Sequence, residues 1–168
     1  ILSGLVGSEM CIRDRRQAVG FLHLVNAVLK ERPDVKKWVE VGSYLGESAT
    51  LLAGFPQLEE IHLVEASQVH AEALREKFAG MEQVTVHNVK SPHAAELFND
   101  KSVDVVYIDA DHSFDAVCAD IEAWTPKAKA FVCGHDYHDG FPGVIRAVDG
   151  LLGEPRTFCD SSWMVEVK

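Results

Sequence analysis

Residues 38–49 read WVEVGSYLGESA, and this stretch decides the fold. A short, mostly apolar run of strand-forming residues leads straight into a turn that contains Gly42 and Gly46, and a helical segment follows. Glycine lets the backbone approach a ligand closely and adopt conformations that other residues resist. Open α/β sheets bind their ligands at the carboxyl ends of the strands. We therefore predict a ligand site directly after this first strand.

The spacing of the two glycines limits the kind of ligand. Dinucleotide sites need G-x-G-x-x-G, whereas this turn has G-x-x-x-G, with Glu40 two residues before Gly42. A mononucleotide phosphate loop also fails, because no Gly-Lys-Ser/Thr follows. An acidic side chain at this point would repel phosphate but suits a ligand with an ammonium group. The alternative is that both glycines only make a tight strand-to-helix turn.

The rest of the chain alternates short apolar runs with helical segments. The predicted strands cover 38–41, 61–64, 84–86, 103–108 and 130–133. The predicted helices start near residue 17 and then cover 47–53, 68–79, 92–98, 114–124 and 142–152. Nearly continuous apolar strands are typical of a parallel sheet covered on both faces. With a hairpin of 156–159 and 163–167, the pattern predicts an α/β fold: a Rossmann-like, doubly wound, mostly parallel sheet with a C-terminal antiparallel hairpin.

Length and charge narrow the class of protein. The chain has 168 residues, enough for one domain, and a formal net charge of −10. The acidic balance argues against a nucleic-acid partner, and no apolar run is long enough to cross a membrane. The four cysteines lack metal or redox spacing, which favours reduced thiols and a cytoplasmic location. A small molecule is the expected partner, and the oligomeric state stays open.

The first fifteen residues are set apart from this pattern. The string Val6–Arg15 resembles translated sequencing-adapter read-through, so residues 1–15 are expected to be an artefact or disordered. The domain would then cover 16–168, with the natural N-terminus and its lid missing.

An acidic residue ends the second predicted strand. Glu65 closes the run Ile-His-Leu-Val-Glu, where a carboxylate can accept hydrogen bonds from both ribose hydroxyls of a nucleotide-like ligand. The alternative is an ordinary solvated acid at a strand end. Together with the glycine turn, Glu65 predicts a nucleoside site.

Titratable residues also follow the fourth and fifth strands. Asp109, Asp111 and His112 leave one strand, while His135 and Asp136 leave the next. Adjacent strand ends would bring these side chains over one crevice. Buried carboxylates need compensation by a cation, a hydrogen-bond network or solvent. Either histidine could serve as a general base near neutral pH; a structural hydrogen bond is the alternative role.

These motifs resemble those of class I S-adenosylmethionine-dependent methyltransferases. Residues 40–49 are similar to their first motif, and Glu65 matches their ribose-binding acid. IDADH at 108–112 and GHDY at 134–137 are similar to a subgroup called methyltransferase domain 24-like. The resemblance implies S-adenosylmethionine as cofactor. The implied cofactor-binding residues are Glu40, Gly42, Ser43, Tyr44, Gly46, Ser48, Glu65, Ala66, Ser91 and Asp109.

One position departs from the family pattern. Lys90 stands where such families usually carry an acid before the serine. This leaves two roles open for Ser91, a contact to the adenine of the cofactor or an N-cap in front of Pro92.

The resemblance also bears on the reaction. It implies O-methylation of a small polar metabolite or sugar hydroxyl, with His112, His135 and Asp109 as candidate catalytic residues. Asp109 and Asp136 are similar to two metal ligands of catechol-type O-methyltransferases, which would suit Mg²⁺ or Mn²⁺. Tyr137 stands where those enzymes often have an asparagine ligand. The alternatives are an NAD(P)-dependent Rossmann oxidoreductase and a non-catalytic nucleotide-binding module.

Overall fold

The computed structural model describes the backbone of residues 3–167 and the side chains of residues 17–167. These residues form six α-helices and seven β-strands, which alternate up to the last helix and end in two consecutive strands. The helices are α1 (Ser3–Glu31), α2 (Glu47–Leu52), α3 (Gln68–Lys77), α4 (Ser91–Ala94), α5 (Phe114–Trp124) and α6 (Pro142–Leu151). The strands are β1 (Lys37–Val41), β2 (Glu60–Val64), β3 (Val84–His87), β4 (Val103–Ile108), β5 (Ala128–Gly134), β6 (Arg156–Thr157) and β7 (Trp163–Glu166).

The seven strands form one sheet in the order β3-β2-β1-β4-β5-β7-β6. The pairs among β1 to β5 are parallel, and β7 runs antiparallel to both β5 and β6. The predicted fold class is therefore confirmed. Since β1 lies between β2 and β4, the turn after β1 adjoins the ends of both neighbours.

Both faces of the sheet are covered, which explains the apolar strands. Trp38 packs with α1, α2 and α3 on one face, and its neighbour Val39 packs with α4, α5 and α6 on the other. Tyr107 and Val106 of β4 divide between the faces in the same way. Successive side chains of a strand point to opposite faces, so a strand covered on both sides needs an almost unbroken apolar sequence.

The predicted boundaries mostly agree with the structure. Each of the five parallel strands and helices α2, α3, α5 and α6 lie within about two residues of their predicted limits. Two helices differ. The predicted helix 92–98 is a short α4 followed by a 3-10 turn, Ala95–Leu97. Helix α1 begins at Ser3, ahead of residue 17, and the read-through expected for 1–15 stays a prediction because those side chains lie outside the described residues.

The capping role of Ser91 is wrong. The residue before α4 is Lys90, and Ser91 is already helical. The Ser91 hydroxyl instead accepts a hydrogen bond from the indole N–H of Trp124 at 3.0 Å. A serine followed by proline commonly starts a helix in this way, but here the contact with α5 takes the hydroxyl.

Two further features belong to the described residues alone. No helix among them has both the length and the apolar character needed to span a bilayer. Cys118, Cys133 and Cys159 are free thiols.

Candidate functional site

The turn after β1 depends on positive backbone angles. φ is +90° at Gly42, +45° at Tyr44 and +71° at Gly46. The Gly42 N–H donates to the carbonyl of Val64 at 2.9 Å. A Cβ at position 42 would lie 2.1 Å from the carbonyl oxygen of Asp109. Only glycine therefore allows the ends of β1, β2 and β4 to meet so closely.

Glu65 ties the end of β2 to this turn. Its Oε2 accepts the backbone N–H of Tyr44 at 2.9 Å, and its Oε1 accepts that of Ser67 at 2.8 Å. Two such bonds hold the carboxylate in a fixed orientation. Each carboxylate oxygen has a second acceptor site, so Glu65 can still bind hydroxyl groups of a ligand.

A cleft of about 640 Å³ opens at this edge of the sheet, and we call it the main cleft. Its walls come from the glycine turn, the loops after β2 and β3, the loop after β4 and one side of α5. Of the predicted cofactor residues, the ones that line the main cleft are Gly42, Tyr44, Glu65, Ala66, Ser91 and Asp109. The glycine turn and the predicted ribose acid therefore face one space.

Glu40 does not line the main cleft but lies beneath the turn, 1% exposed. Its Oε1 accepts a hydrogen bond from the Ser48 hydroxyl, while its Oε2 has no partner among the described residues. Burial raises the pKa of Glu40 to about 7, and the Ser48 hydrogen bond only partly opposes this shift. The carboxyl group of Glu40 thus lies outside the main cleft, and the contact with an ammonium expected for it stays a prediction.

Glu40 should make folding stability depend on pH. Between about pH 4.5 and 7 the native state binds more protons at this group than the unfolded state, so stability falls as pH rises through that window. The Glu40→Gln variant lacks this dependence. The free energy of unfolding of the variant, relative to the unaltered protein, should therefore rise by about 3 kcal/mol from pH 4.5 to pH 8.

Urea denaturation of both proteins at several pH values measures this difference. If the free energies of unfolding of the two proteins changed in parallel with pH, Glu40 would titrate like an exposed acid. Glu47→Gln, in the exposed first turn of α2, is the matched control and should follow the unaltered protein.

Ser43, Gly46 and Ser48 also lie away from the main cleft. Ser43 is buried, and a Cβ at Gly46 would lie 2.7 Å from Leu74 of α3. The ammonium of Lys77 donates to the carbonyl of Gly46 at 2.9 Å. Ser43 and Gly46 therefore shape and anchor the turn, whereas Ser48 contacts Glu40 and faces a different space.

This second cavity, of about 260 Å³, lies between α1, α2 and the ends of β4 and β5. Its lining consists of Gln17, Ala18, Phe21, Glu47, Ser48, Leu51, Tyr107, Asp109, His135 and Asp160. Asp109 also lines the main cleft. Asp109 therefore stands on the boundary between the two spaces.

The acid–histidine cluster forms next to this boundary. Nε2 of His112 lies 2.8 Å from Asp136 Oδ2 and 3.4 Å from Asp109 Oδ1. The hydrogen bond to Asp109, with the charge of Asp136, raises the pKa of His112 despite its partial burial. One ligand atom from each of the three residues lies within 4.8 Å of the others, close enough to hold a metal ion. Tyr137 points elsewhere, because its hydroxyl donates to Asp149 at 2.7 Å.

His135 lies deeper, between two carboxylates. Its Nδ1 is 3.2 Å from Asp136 Oδ1 and its Nε2 is 3.8 Å from Asp160 Oδ2. Burial alone would lower the pKa of His135, but the surrounding acids, with Asp136 nearest, raise it. Asp160 is held by the N–H and hydroxyl of Ser162 and packs against Gly20, where a Cβ would lie 2.1 Å from its Cγ.

The sequence analysis did not identify two acidic residues of the site. Asp120 of α5 is 3% exposed and lines the main cleft beside Ser91. Its position on the apolar stripe of Val117, Ile121 and Trp124 was the available signal. Asp160 had no such signal, because only the packing of the hairpin against α1 brings it to the second cavity.

Comparisons with known proteins identify the family. The model of a family described as methyltransferase domain matches residues 39–137, more than half of the chain. The chain belongs to this methyltransferase family. The match spans the glycine turn, Glu65, Asp109 and the GHDY motif. A comparison with curated proteins gives no match.

Solved structures share the fold of this methyltransferase domain. A Staphylococcus aureus protein assigned as a caffeoyl-CoA O-methyltransferase is 18% identical, with a TM-score of 0.68 over 88% of this chain and 82% of its own. A Streptococcus mutans protein assigned as a methyltransferase, in complex with S-adenosylhomocysteine, is 10% identical, with a TM-score of 0.65 over 86% and 96%.

A spermidine synthase from Thermotoga maritima is 16% identical, with a TM-score of 0.60 over 81% of this chain and 55% of its own. The methyltransferase domain thus spans just over half the length of the spermidine synthases that it matches. At these identities the likenesses show the fold alone.

Proposed function

We propose that this chain transfers the methyl group of S-adenosylmethionine to a hydroxyl oxygen of a small polar acceptor, such as a sugar. The observation that carries this proposal is the place of Asp109, which lines both the main cleft and the second cavity. Methyl transfer is an in-line displacement and needs cofactor and acceptor to meet at one point. Asp109 marks that meeting point.

The residues around the main cleft suit the cofactor. Glu65 offers acceptor sites to the ribose hydroxyls, and Gly42 lets the ligand approach the backbone. The ammonium contact of Glu40 stays a prediction, because Glu40 is buried beneath the turn and does not line the main cleft. A cleft of this volume lies in the usual range for cofactor sites.

The reaction breaks the bond between sulfur and the methyl carbon and forms a bond from that carbon to the acceptor oxygen. Sulfur keeps the electron pair and becomes the thioether of S-adenosylhomocysteine, while the hydroxyl proton must pass to a base. Asp109 and the residues around it would orient the hydroxyl, and an acceptor seated in the second cavity would displace water from the point of transfer.

A divalent metal fits the donor set of Asp109, Asp136 and His112. Two carboxylates with one imidazole suit Mn²⁺ better than Mg²⁺, which prefers oxygen ligands alone. When bound, such an ion would orient the acceptor hydroxyl and lower its pKa.

The second candidate mechanism is free of metal and uses a histidine as base. Its support is geometric. His135 lines the second cavity, whereas Nε2 of His112 is already shared between Asp109 and Asp136.

Calorimetric titration tests the cofactor. S-adenosylhomocysteine should bind to the unaltered protein, whereas NAD should not. Binding of Mn²⁺ in the same experiment would show that the acid–histidine cluster is a metal site. Glu65→Gln should weaken S-adenosylhomocysteine binding at least tenfold. Both oxygens of Glu65 accept hydrogen bonds from backbone N–H groups, and the amide nitrogen of glutamine would place a donor against one of them. Glu72→Gln, an exposed acid of α3, is the matched control.

Binding of NAD without S-adenosylhomocysteine would replace the proposal with the oxidoreductase alternative. Binding of S-adenosylhomocysteine without methylation of any hydroxyl compound would favour a non-catalytic nucleotide-binding module.

A further inference from the structure

Asp120 is a buried acid in a cleft wall, and the proposed chemistry leaves it unused. It lies on the inner side of α5 at 3% exposure and contributes to the main cleft together with Ala116 of the same helix. The described part of the chain places no lysine or arginine within ion-pair distance of Asp120. A carboxylate kept from water in this way needs hydrogen-bond donors.

The hydroxyl of Ser91 lies beside this carboxyl group. It accepts the Trp124 indole N–H at 3.0 Å, and Trp124 is fully buried, so the hydroxyl is held in place. Burial raises the pKa of Asp120, and the Ser91 hydroxyl partly opposes this shift. A carboxylate has about four acceptor sites, so sites beyond the one that faces Ser91 are available to a ligand.

The other acids of the main cleft are engaged differently. Both oxygens of Glu65 accept backbone N–H groups at the ribose end. Asp111 is exposed and accepts the N–H of Ser113 at 2.8 Å. Asp109 lies at the boundary with the second cavity. Asp120 is thus the buried acid of the main cleft that lies beside a side-chain hydroxyl, that of Ser91.

The walls of the main cleft suit a flat heterocycle. Its apolar lining residues are Val64, Val89, Pro92, Ala110 and Ala116. Small apolar groups on facing walls can enclose an aromatic ring, and a polar group at its edge can then read its substituents.

We infer that Asp120 determines the base specificity of the cofactor site by accepting a hydrogen bond from the exocyclic amino group of an aminopurine. The inference rests on the proposed function, because it takes the ligand of the main cleft to be S-adenosylmethionine or its product. Ser91 and Trp124 act as positioning residues for Asp120.

The test compares two ligands that differ by one amino group. The first is S-adenosylhomocysteine, and the second is its analogue with unsubstituted purine in place of adenine. The unaltered protein should bind the first at least about tenfold more tightly, since a hydrogen bond to a buried carboxylate is lost with the second. Asp120→Leu has similar volume and no acceptor, so it should bind both ligands within about threefold of each other.

A second variant covers the case in which Asp120→Leu does not fold. Asp120→Asn keeps the shape with an uncharged acceptor, and its preference for S-adenosylhomocysteine should fall at least about threefold below that of the unaltered protein. Glu122→Gln, on the exposed side of α5, should keep the full preference.

Equal binding of both ligands to the unaltered protein, or an undiminished preference in both Asp120 variants, overturns the inference while the proposed cofactor stands. Absence of binding for both ligands overturns the proposed cofactor and the inference together.

Discussion

The Asp109→Asn variant is expected to lose methyl transfer by about a thousandfold while it keeps its affinity for S-adenosylhomocysteine within about threefold. The loss follows from its position on the shared wall of the main cleft and the second cavity, where the side chain would orient the acceptor. The backbone N–H of Asp109 donates to the Val41 carbonyl at 2.8 Å, so the substitution should leave the path of β4 unchanged.

Transfer of labelled methyl from S-adenosylmethionine measures this loss, with any polyhydroxy compound that the unaltered protein methylates. Asp115→Asn, an exposed acid in the first turn of α5, should retain full turnover. If Asp109→Asn turned over at more than about a tenth of the normal rate, the place of methyl transfer would have to move away from Asp109.

Gly42→Ala is expected to destabilise the fold by about 4 kcal/mol or more, with loss of cofactor binding. Two causes add. The residue has φ +90°, and its Cβ would lie 2.1 Å from the Asp109 carbonyl oxygen and 2.8 Å from the Ala110 Cα. Both are backbone atoms just after the neighbouring strand β4, so the clash can be relieved only if β1 and β4 move apart.

Two other glycines separate these causes. Gly153 has φ +85° but open space around it, and Gly150 in α6 has open space without a positive φ. Gly153→Ala should cost about 1 kcal/mol from backbone strain, and Gly150→Ala should be neutral or stabilising by up to about 1 kcal/mol. Urea denaturation gives the three free energies of unfolding. A cost at Gly42 equal to that at Gly153 would show that the close approach of the strands is not required.

Most of the fold could be predicted because most of its elements have a local signal. Apolar strands buried on both faces, Pro142 at the start of α6 and Gly153 after its end are all visible in short stretches of sequence. Ser91 shows the limit of this approach. Its local sequence favours a cap, but Trp124, far along the chain, takes the hydroxyl.

The candidate site also has parts that could be predicted from the sequence and parts that could not. The meeting of Gly42 with Glu65 could be predicted because parallel strands end at a common edge. The burial of Glu40 could not, since the sequence shows an acid beside a turn without showing which way the side chain points. Asp160 depends on the packing of the hairpin, which no nearby residue indicates, whereas Asp120 had a signal in its place on the apolar stripe of α5.

The contact between Gly20 and Asp160 joins two distant parts of the sequence. The main cleft is built from the stretch between β1 and α5, whereas the second cavity needs Phe21 from α1 and Asp160 from the hairpin between β6 and β7. Because closing a longer loop of chain costs more conformational entropy, the second cavity carries the larger entropic cost of the two.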